Sequence, residues 1–289
     1  MLFFCINTIM KFILSFLFIL FFSFNLFAKN VVYIVVEGVS RATFYELLNR
    51  NKLPNYRLLI ERGNYRNLGI DEGMLVSHDS TLMAYSGYSS KQFHDSSFIE
   101  QLKLLKPQLD IKCFLSVPID KEYPLDIQAS LVHLTEITDS PAISYRTSTE
   151  IGVLASDYVK NQKEPFFLVL NFTNVDYVGW RYREGAMNYS RAIKNTDKSL
   201  GLIIDALKQR QEFENTEFLI TTNYGYHRTL QIPKEEAWVV STQPVLRKGS
   251  IHDIFPSLMD LLDVSSDMNL SFKGNSLFRY LKQSTGSML

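Results

Sequence analysis

Residues 31–38 read VVYIVVEG, a run of six β-forming residues followed directly by Glu37 and Gly38. An unbroken apolar run of this length is typical of a strand covered on both faces, as in a parallel sheet. Apolar side chains then recur at helical spacing over residues 42–49 and 54–61. The chain is therefore predicted to open with a buried strand and two helices, with a polar residue at the strand's carboxyl end.

The same strand-and-helix pattern recurs along the rest of the chain. Further strands are predicted over residues 111–117, 166–172 and 218–222, and helices over residues 189–210 and 253–262. Such alternation indicates an α/β fold: a largely parallel central sheet with helices on both faces, which is a three-layer αβα sandwich. Because no internal repeat or Gly/Ser linker appears, residues 29–289 are predicted to form a single domain.

The first 28 residues differ from the remainder of the chain. Met10, which is an alternative first residue, and Lys11 precede an almost uninterrupted apolar run. Ala28 supplies the small residue expected before a cleavage point. Residues 1–28 are therefore predicted to be a signal peptide, with an uncleaved membrane anchor as the alternative. Both interpretations predict a periplasmic or secreted protein, and the anchor would be its one membrane contact. Cys113, in a predicted strand, is expected to be a buried thiol.

The charge balance bears on possible partners. The chain has 30 basic and 30 acidic side chains, so its formal net charge is zero. No overall field attracts it to nucleic acid, and a charged ligand must be recognised locally. We therefore expect no nucleic-acid partner.

Polar residues follow three of the predicted strands, where open α/β sheets bind their ligands. Glu37, Asp176 and Asn223 each stand shortly after an apolar run, and together they offer the oxygen ligands of a divalent cation. Ser77 can cap the N-terminus of a short helix that ends at Gly87. Free backbone N–H groups at that N-terminus favour a bound anion. A plain capping role for Ser77 is the alternative, and Ser80 and Thr81 are competing hydroxyls.

The combination of these features resembles the alkaline phosphatase superfamily, which includes nucleotide pyrophosphatase/phosphodiesterases, sulfatases and phosphopentomutases. The similarity extends over residues 31–262 and depends on the order and spacing of short motifs. These are Glu37-Gly38, Ser77 ten residues before Gly87, and residues 176–180 (DYVGW), 197–201 (DKSLG), 222–225 (TNYG) and 253–258 (DIFPSL). The resemblance implies Ser77 as the nucleophile.

The departures from the family pattern fall on its metal ligands. Trp180 and Tyr224 stand where the family has His, and Asn223 stands where it has Asp. Superfamily transferases with Glu at the position of Glu37 use one metal, which implies one divalent ion, zinc or manganese. The implied ligands are Glu37, Ser77, Asp176, Asn223 and His227, the last as a substitute for the missing imidazole.

Two functional hypotheses follow from this resemblance. The first is a hydrolase or transferase of phosphate, phosphonate or sulfate esters, whose implied partner is a small-molecule phosphate or sulfate ester. The second is a pseudoenzyme that keeps the fold as a binding or scaffolding protein. His252 is a further candidate for the substitute ligand. In a working site that has re-packed around the changes, Trp180 and Tyr224 should both be buried.

Overall fold

The computed structural model describes residues 29–70, 98–117, 125–163, 165–226, 237–244, 247–264 and 274–278. Within these ranges, no helix is both long enough and apolar enough to cross a membrane. Residues 1–28, Ser77 and His227 lie outside the described residues. The signal peptide and the cleavage point therefore stay predictions.

A seven-stranded sheet forms the centre of the molecule, in the order β3-β4-β1-β5-β6-β2-β7. Strand β6 is antiparallel to its neighbours β5 and β2, and the other four pairings are parallel. The predicted, largely parallel sheet is therefore confirmed. Its strands are β1 (Asn30–Val36), β2 (Asn64–Gly69), β3 (Asp110–Phe114), β4 (Phe166–Phe172), β5 (Thr216–Thr221), β6 (Ala237–Ser241) and β7 (Gly249–Ser250).

Helices cover both faces of the sheet. Alternate residues of β1 therefore pack in two separate cores, one on each face. Val31, Tyr33 and Val35 pack in one core, and Val32 and Ile34 pack in the other. The described helices are α1 (Arg41–Asn49), α2 (Pro54–Arg62), α3 (Phe98–Leu105), α4 (Leu125–Ile137), α5 (Ser148–Asn161), α6 (Asn174–Tyr182), α7 (Met187–Gln209) and α8 (Ile254–Leu261). Side chains of α3 and α8 fill the first core, whereas those of α1, α2, α5 and α7 fill the second. The three-layer sandwich predicted from the sequence is thus confirmed.

Three short strands escaped the sequence analysis. Strand β2 is only partly buried and carries polar residues, β6 has five residues, and β7 has two. The polar residues of β2 break up the apolar run that marks the predicted strands, and β7 is too short for any pattern to stand out. Cys113 on β3 is buried, as predicted, and its burial raises the pKa of the thiol to about 12.

Two carboxylates of the recognised motifs join distant segments of the chain. Asp197 on α7 accepts hydrogen bonds from the backbone N–H groups of Asn55 and Tyr56, both at 3.0 Å, and so caps α2 from another element. Asp253 accepts from the Ser250 N–H at 2.8 Å and pairs with Arg247 at 2.8 Å. Both motifs therefore have a structural role in this fold.

Candidate active site

Two adjacent strands, β1 and β5, bring Glu37 and Asn223 to one edge of the sheet. Strand β1 lies between β4 and β5, and Val35 pairs with Thr221 in parallel register. Continuing this register by two residues places Asn223 level with Glu37. Both residues are buried, at 0% and 1% exposure respectively. This edge is where ligands bind in open α/β sheets.

Asp176 reaches the same edge from the start of α6. It lies in the first turn of that helix, where the helix dipole favours a carboxylate, and it is 8% exposed. The carboxyl end of β4 is joined to that of β1, because the Glu37 N–H donates a hydrogen bond to the Phe172 carbonyl oxygen at 3.1 Å. The ends of β4 and β1 therefore meet, and each is followed by a buried carboxylate, Asp176 after β4 and Glu37 after β1.

Gly38 sets how closely these two segments approach. Its φ is +70°, in the left-handed region that favours glycine, and a Cβ built there would lie 2.7 Å from the Cα, the Cβ and the Oδ1 of Asp176. No side chain fits this contact without movement of α6. The glycine of the Glu-Gly pair thus lets the turn after Glu37 rest directly on Asp176.

The Tyr189 hydroxyl closes the turn from the other side. It donates to the Gly38 carbonyl oxygen and accepts from the Ser40 N–H, each at 2.8 Å. Burial raises the pKa of Tyr189 well above its ordinary value; the Ser40 hydrogen bond opposes this rise, and the charges of Glu184 and Asp176 add to it. The hydroxyl therefore keeps its proton and remains a donor to Gly38.

Ser40 also joins the turn to α1. Its side chain accepts from the Thr43 N–H at 3.1 Å and so caps the helix, and it donates to Glu184, which lies between α6 and α7. The Thr43 hydroxyl donates to the same Glu184 carboxylate at 3.1 Å. A serine just before a helix is a sequence signal for such a cap, and Ser40 carries it.

The positions of the replaced ligands differ sharply in burial. Tyr224 is 2% exposed and belongs to the core, whereas Trp180 on α6 is 57% exposed. The expectation of a site re-packed around both aromatics is therefore wrong for Trp180, whose indole is largely in solvent. Asn223 turns its Oδ1 back toward its own chain, where it accepts from the Tyr224 N–H at 2.9 Å.

Three candidates remain, Ser77, His227 and His252, and only His252 belongs to the described part of the chain. Ser77 and His227 are outside the described residues. His252 lies in the 3-10 helix Ile251–Asp253 that follows β7, and β7 is three strand positions from β5 in the sheet. Among the residues described, no group of three or more His, Cys, Asp or Glu side chains could hold a metal ion.

The donor set at the sheet edge nevertheless fits one divalent cation. Glu37 and Asp176 supply two anionic oxygen donors from touching segments, which suits a hard or borderline ion. Asn223 could offer only a neutral amide oxygen, which already accepts from the Tyr224 N–H. Glu37 and Asp176 could thus supply part of the ligand set of a divalent cation, which would need further ligands.

Comparison with known proteins identifies the family of the chain. A sequence model of the type I phosphodiesterase / nucleotide pyrophosphatase family matches residues 112–278, more than half of the chain. No curated protein sequence matches the chain.

Solved structures of the alkaline phosphatase superfamily share the fold. The alkaline phosphatase of the Antarctic bacterium TAB5 is 12% identical, with a TM-score of 0.60 over 82% of this chain and 98% of its own. A putative sulfatase, yidJ from Bacteroides fragilis, is 17% identical, with a TM-score of 0.55 over 83% and 75%. The lipoteichoic acid synthase LtaP from Listeria monocytogenes is 14% identical, with a TM-score of 0.56 over 87% and 74%. At these identities the likeness establishes the fold alone, and the family match adds the assignment: the chain belongs to the type I phosphodiesterase / nucleotide pyrophosphatase family.

Proposed function

We propose that the protein is an exported, metal-dependent hydrolase or transferase acting on phosphate, phosphonate or sulfate esters, with Ser77 as its nucleophile. The observation that carries this proposal is the contact of Gly38 with Asp176, because it leaves two buried carboxylates at the ligand-binding edge of the sheet. Family membership supports the reaction class. The apolar run before Ala28 supports export to the periplasm or the medium.

One cation, zinc or manganese, is the proposed cofactor. Glu37, Ser77, Asp176, Asn223 and His227 are its proposed ligands, and the two carboxylates supply the negative charge that binds it. When bound, the cation would act as a Lewis acid and offset the charge that builds up on the ester oxygens.

The chain's own residues supply the remaining chemistry. In the proposed reaction, the Ser77 Oγ forms a bond to phosphorus or sulfur while the bond to the ester oxygen breaks, and the serine proton ends on the departing alcohol. Water, or an acceptor alcohol in a transferase, then releases the group from Ser77 and returns its proton. The proposed substrate is a small molecule.

The experiment uses the chain from Lys29 onward, freed of metal and reloaded with zinc or manganese. The assay follows phenolate release from para-nitrophenyl phosphate, bis(para-nitrophenyl) phosphate and para-nitrophenyl sulfate. Turnover should appear only with metal and should fall by at least about 10³-fold in Ser77→Ala, since the attacking atom is gone. Ser80→Ala, which removes a neighbouring hydroxyl, is the matched control and should retain activity.

A pseudoenzyme is the second candidate, and one observation favours it. The Asn223 Oδ1 accepts from the Tyr224 N–H, so the residue that replaces the family's Asp is engaged with its own backbone. Wild-type protein that folds, loads with neither metal and cleaves none of the three esters would favour this alternative. Activity that survives in Ser77→Ala would instead refute the assignment of the nucleophile.

A further inference from the structure

A single side chain, Tyr189, contacts both segments that carry the candidate ligands. Its hydroxyl bridges the Gly38 carbonyl and the Ser40 N–H, each at 2.8 Å. Its ring lies against α6, because a Cβ built at Gly179 would lie 3.0 Å from the Tyr189 Cε2. Gly179 is three residues after Asp176, about one turn along the same helix. Tyr189 therefore touches the turn after Glu37 and the helix of Asp176 at once.

The surroundings of Tyr189 leave little freedom for either contact. The side chain is fully buried on α7, a helix of 23 residues. Its ring packs edge-on against Tyr226, with the ring centroids 5.6 Å apart. Packing on α7 thus holds the Tyr189 hydroxyl in place beside the Gly38–Ser40 backbone.

The turn itself depends on such a restraint. Gly38 adopts a left-handed conformation that glycine leaves readily, since it has no Cβ to restrict its backbone. The hydroxyl of Tyr189 binds the peptide groups on both sides of Val39 and so opposes rotation of this turn.

We propose that Tyr189 is a positioning residue of the metal site. It holds the Glu37-Gly38 turn on Asp176 so that both carboxylates can address one cation. This inference rests on the proposed function. Tyr189 does not itself touch the metal or the substrate, and its effect should appear first in metal affinity.

The test compares Tyr189→Phe with Tyr56→Phe in the same metal-free chain. Each change removes one buried phenolic hydroxyl and leaves the ring; the Tyr56 hydroxyl bonds the Thr196 hydroxyl on α7 at 3.1 Å, whereas the Tyr189 hydroxyl bonds the Gly38–Ser40 backbone. Titration calorimetry with zinc or manganese alone should give a dissociation constant about tenfold higher for Tyr189→Phe, the order of effect expected of groups that orient ligands. Tyr56→Phe should bind within twofold of wild type.

A second measurement does not depend on metal. Hydrogen exchange of peptides that cover residues 37–44 should become faster in Tyr189→Phe, because the Ser40 N–H loses its acceptor, and should stay unchanged in Tyr56→Phe. Unchanged exchange and unchanged affinity in Tyr189→Phe would overturn the inference while leaving the proposed function intact. Equal weakening in both variants would also overturn it, because that indicates general destabilisation. Wild-type protein that binds neither metal would refute the proposed cofactor and, with it, the claim that Tyr189 affects metal affinity. Hydrogen exchange alone would then decide whether Tyr189 holds the turn.

Discussion

Replacing Gly38 by alanine should destabilise the protein far more than the same change at Gly185. Both glycines have left-handed φ angles, +70° at Gly38 and +82° at Gly185. A Cβ at Gly185 meets no atom within 4 Å, whereas one at Gly38 lies 2.7 Å from the backbone and side chain of Asp176. The pair therefore separates the cost of the backbone conformation from the cost of the contact.

The expected free energies follow from these two causes. A left-handed alanine costs about 1–2 kcal/mol, and this cost applies to both variants. Crowding against a packed helix adds about 1–3 kcal/mol at Gly38 alone. We therefore expect a loss of about 1–2 kcal/mol for Gly185→Ala and about 2–5 kcal/mol for Gly38→Ala.

Urea denaturation of the metal-free chain measures both variants under one condition, with the midpoint and the slope fitted separately. We expect a larger loss of stability for Gly38→Ala at an unchanged slope. Equal losses in the two variants would show that the turn does not rest on Asp176, and would remove the observation on which the proposed site depends.

Three further changes test the structural assignments. Asp253→Ala should cost about 3 kcal/mol, because it leaves the largely buried Arg247 unpaired, whereas Asp157→Ala, in an exposed pair, should cost less than about 0.5 kcal/mol in the same urea assay. Trp180→His should change stability by less than about 0.5 kcal/mol, since the indole is exposed, while Trp238→His, in the core, should cost about 3 kcal/mol or more. Burial raises the pKa of Asp197 above its ordinary 3.8, although its hydrogen bonds from Tyr56 and Asn55 oppose the rise. Folding therefore favours the neutral form of Asp197. The stability that this preference contributes is present below pH 3.8 and is lost as pH rises through the folded pKa. Wild type should therefore lose stability relative to Asp197→Asn as pH rises from 3.8 through the folded pKa. A constant difference between the two proteins across pH would contradict this assignment.

The sequence by itself predicted the fold class and the family. The apolar runs at β1, β4 and β5 and the long apolar face of α7 are local patterns, because burial on both sides of a sheet requires an unbroken run of β-forming residues. The family resemblance likewise depended on short motifs and their order along the chain. Glu37, Asp176 and Asn223 could be placed at one edge because the carboxyl ends of parallel strands meet there.

Only the tertiary structure decided which of the motif residues meet at the sheet edge and which serve the fold. Tyr189 and Gly38 are 151 positions apart, and Asp197 and Asn55 are 142 apart, yet each pair forms a hydrogen bond. A tyrosine in an amphipathic helix looks like any core aromatic until its hydroxyl is seen to meet a distant turn. The exposure of Trp180 and the burial of Tyr224 were equally hidden, because the burial of a single side chain depends on what the remainder of the chain packs against it.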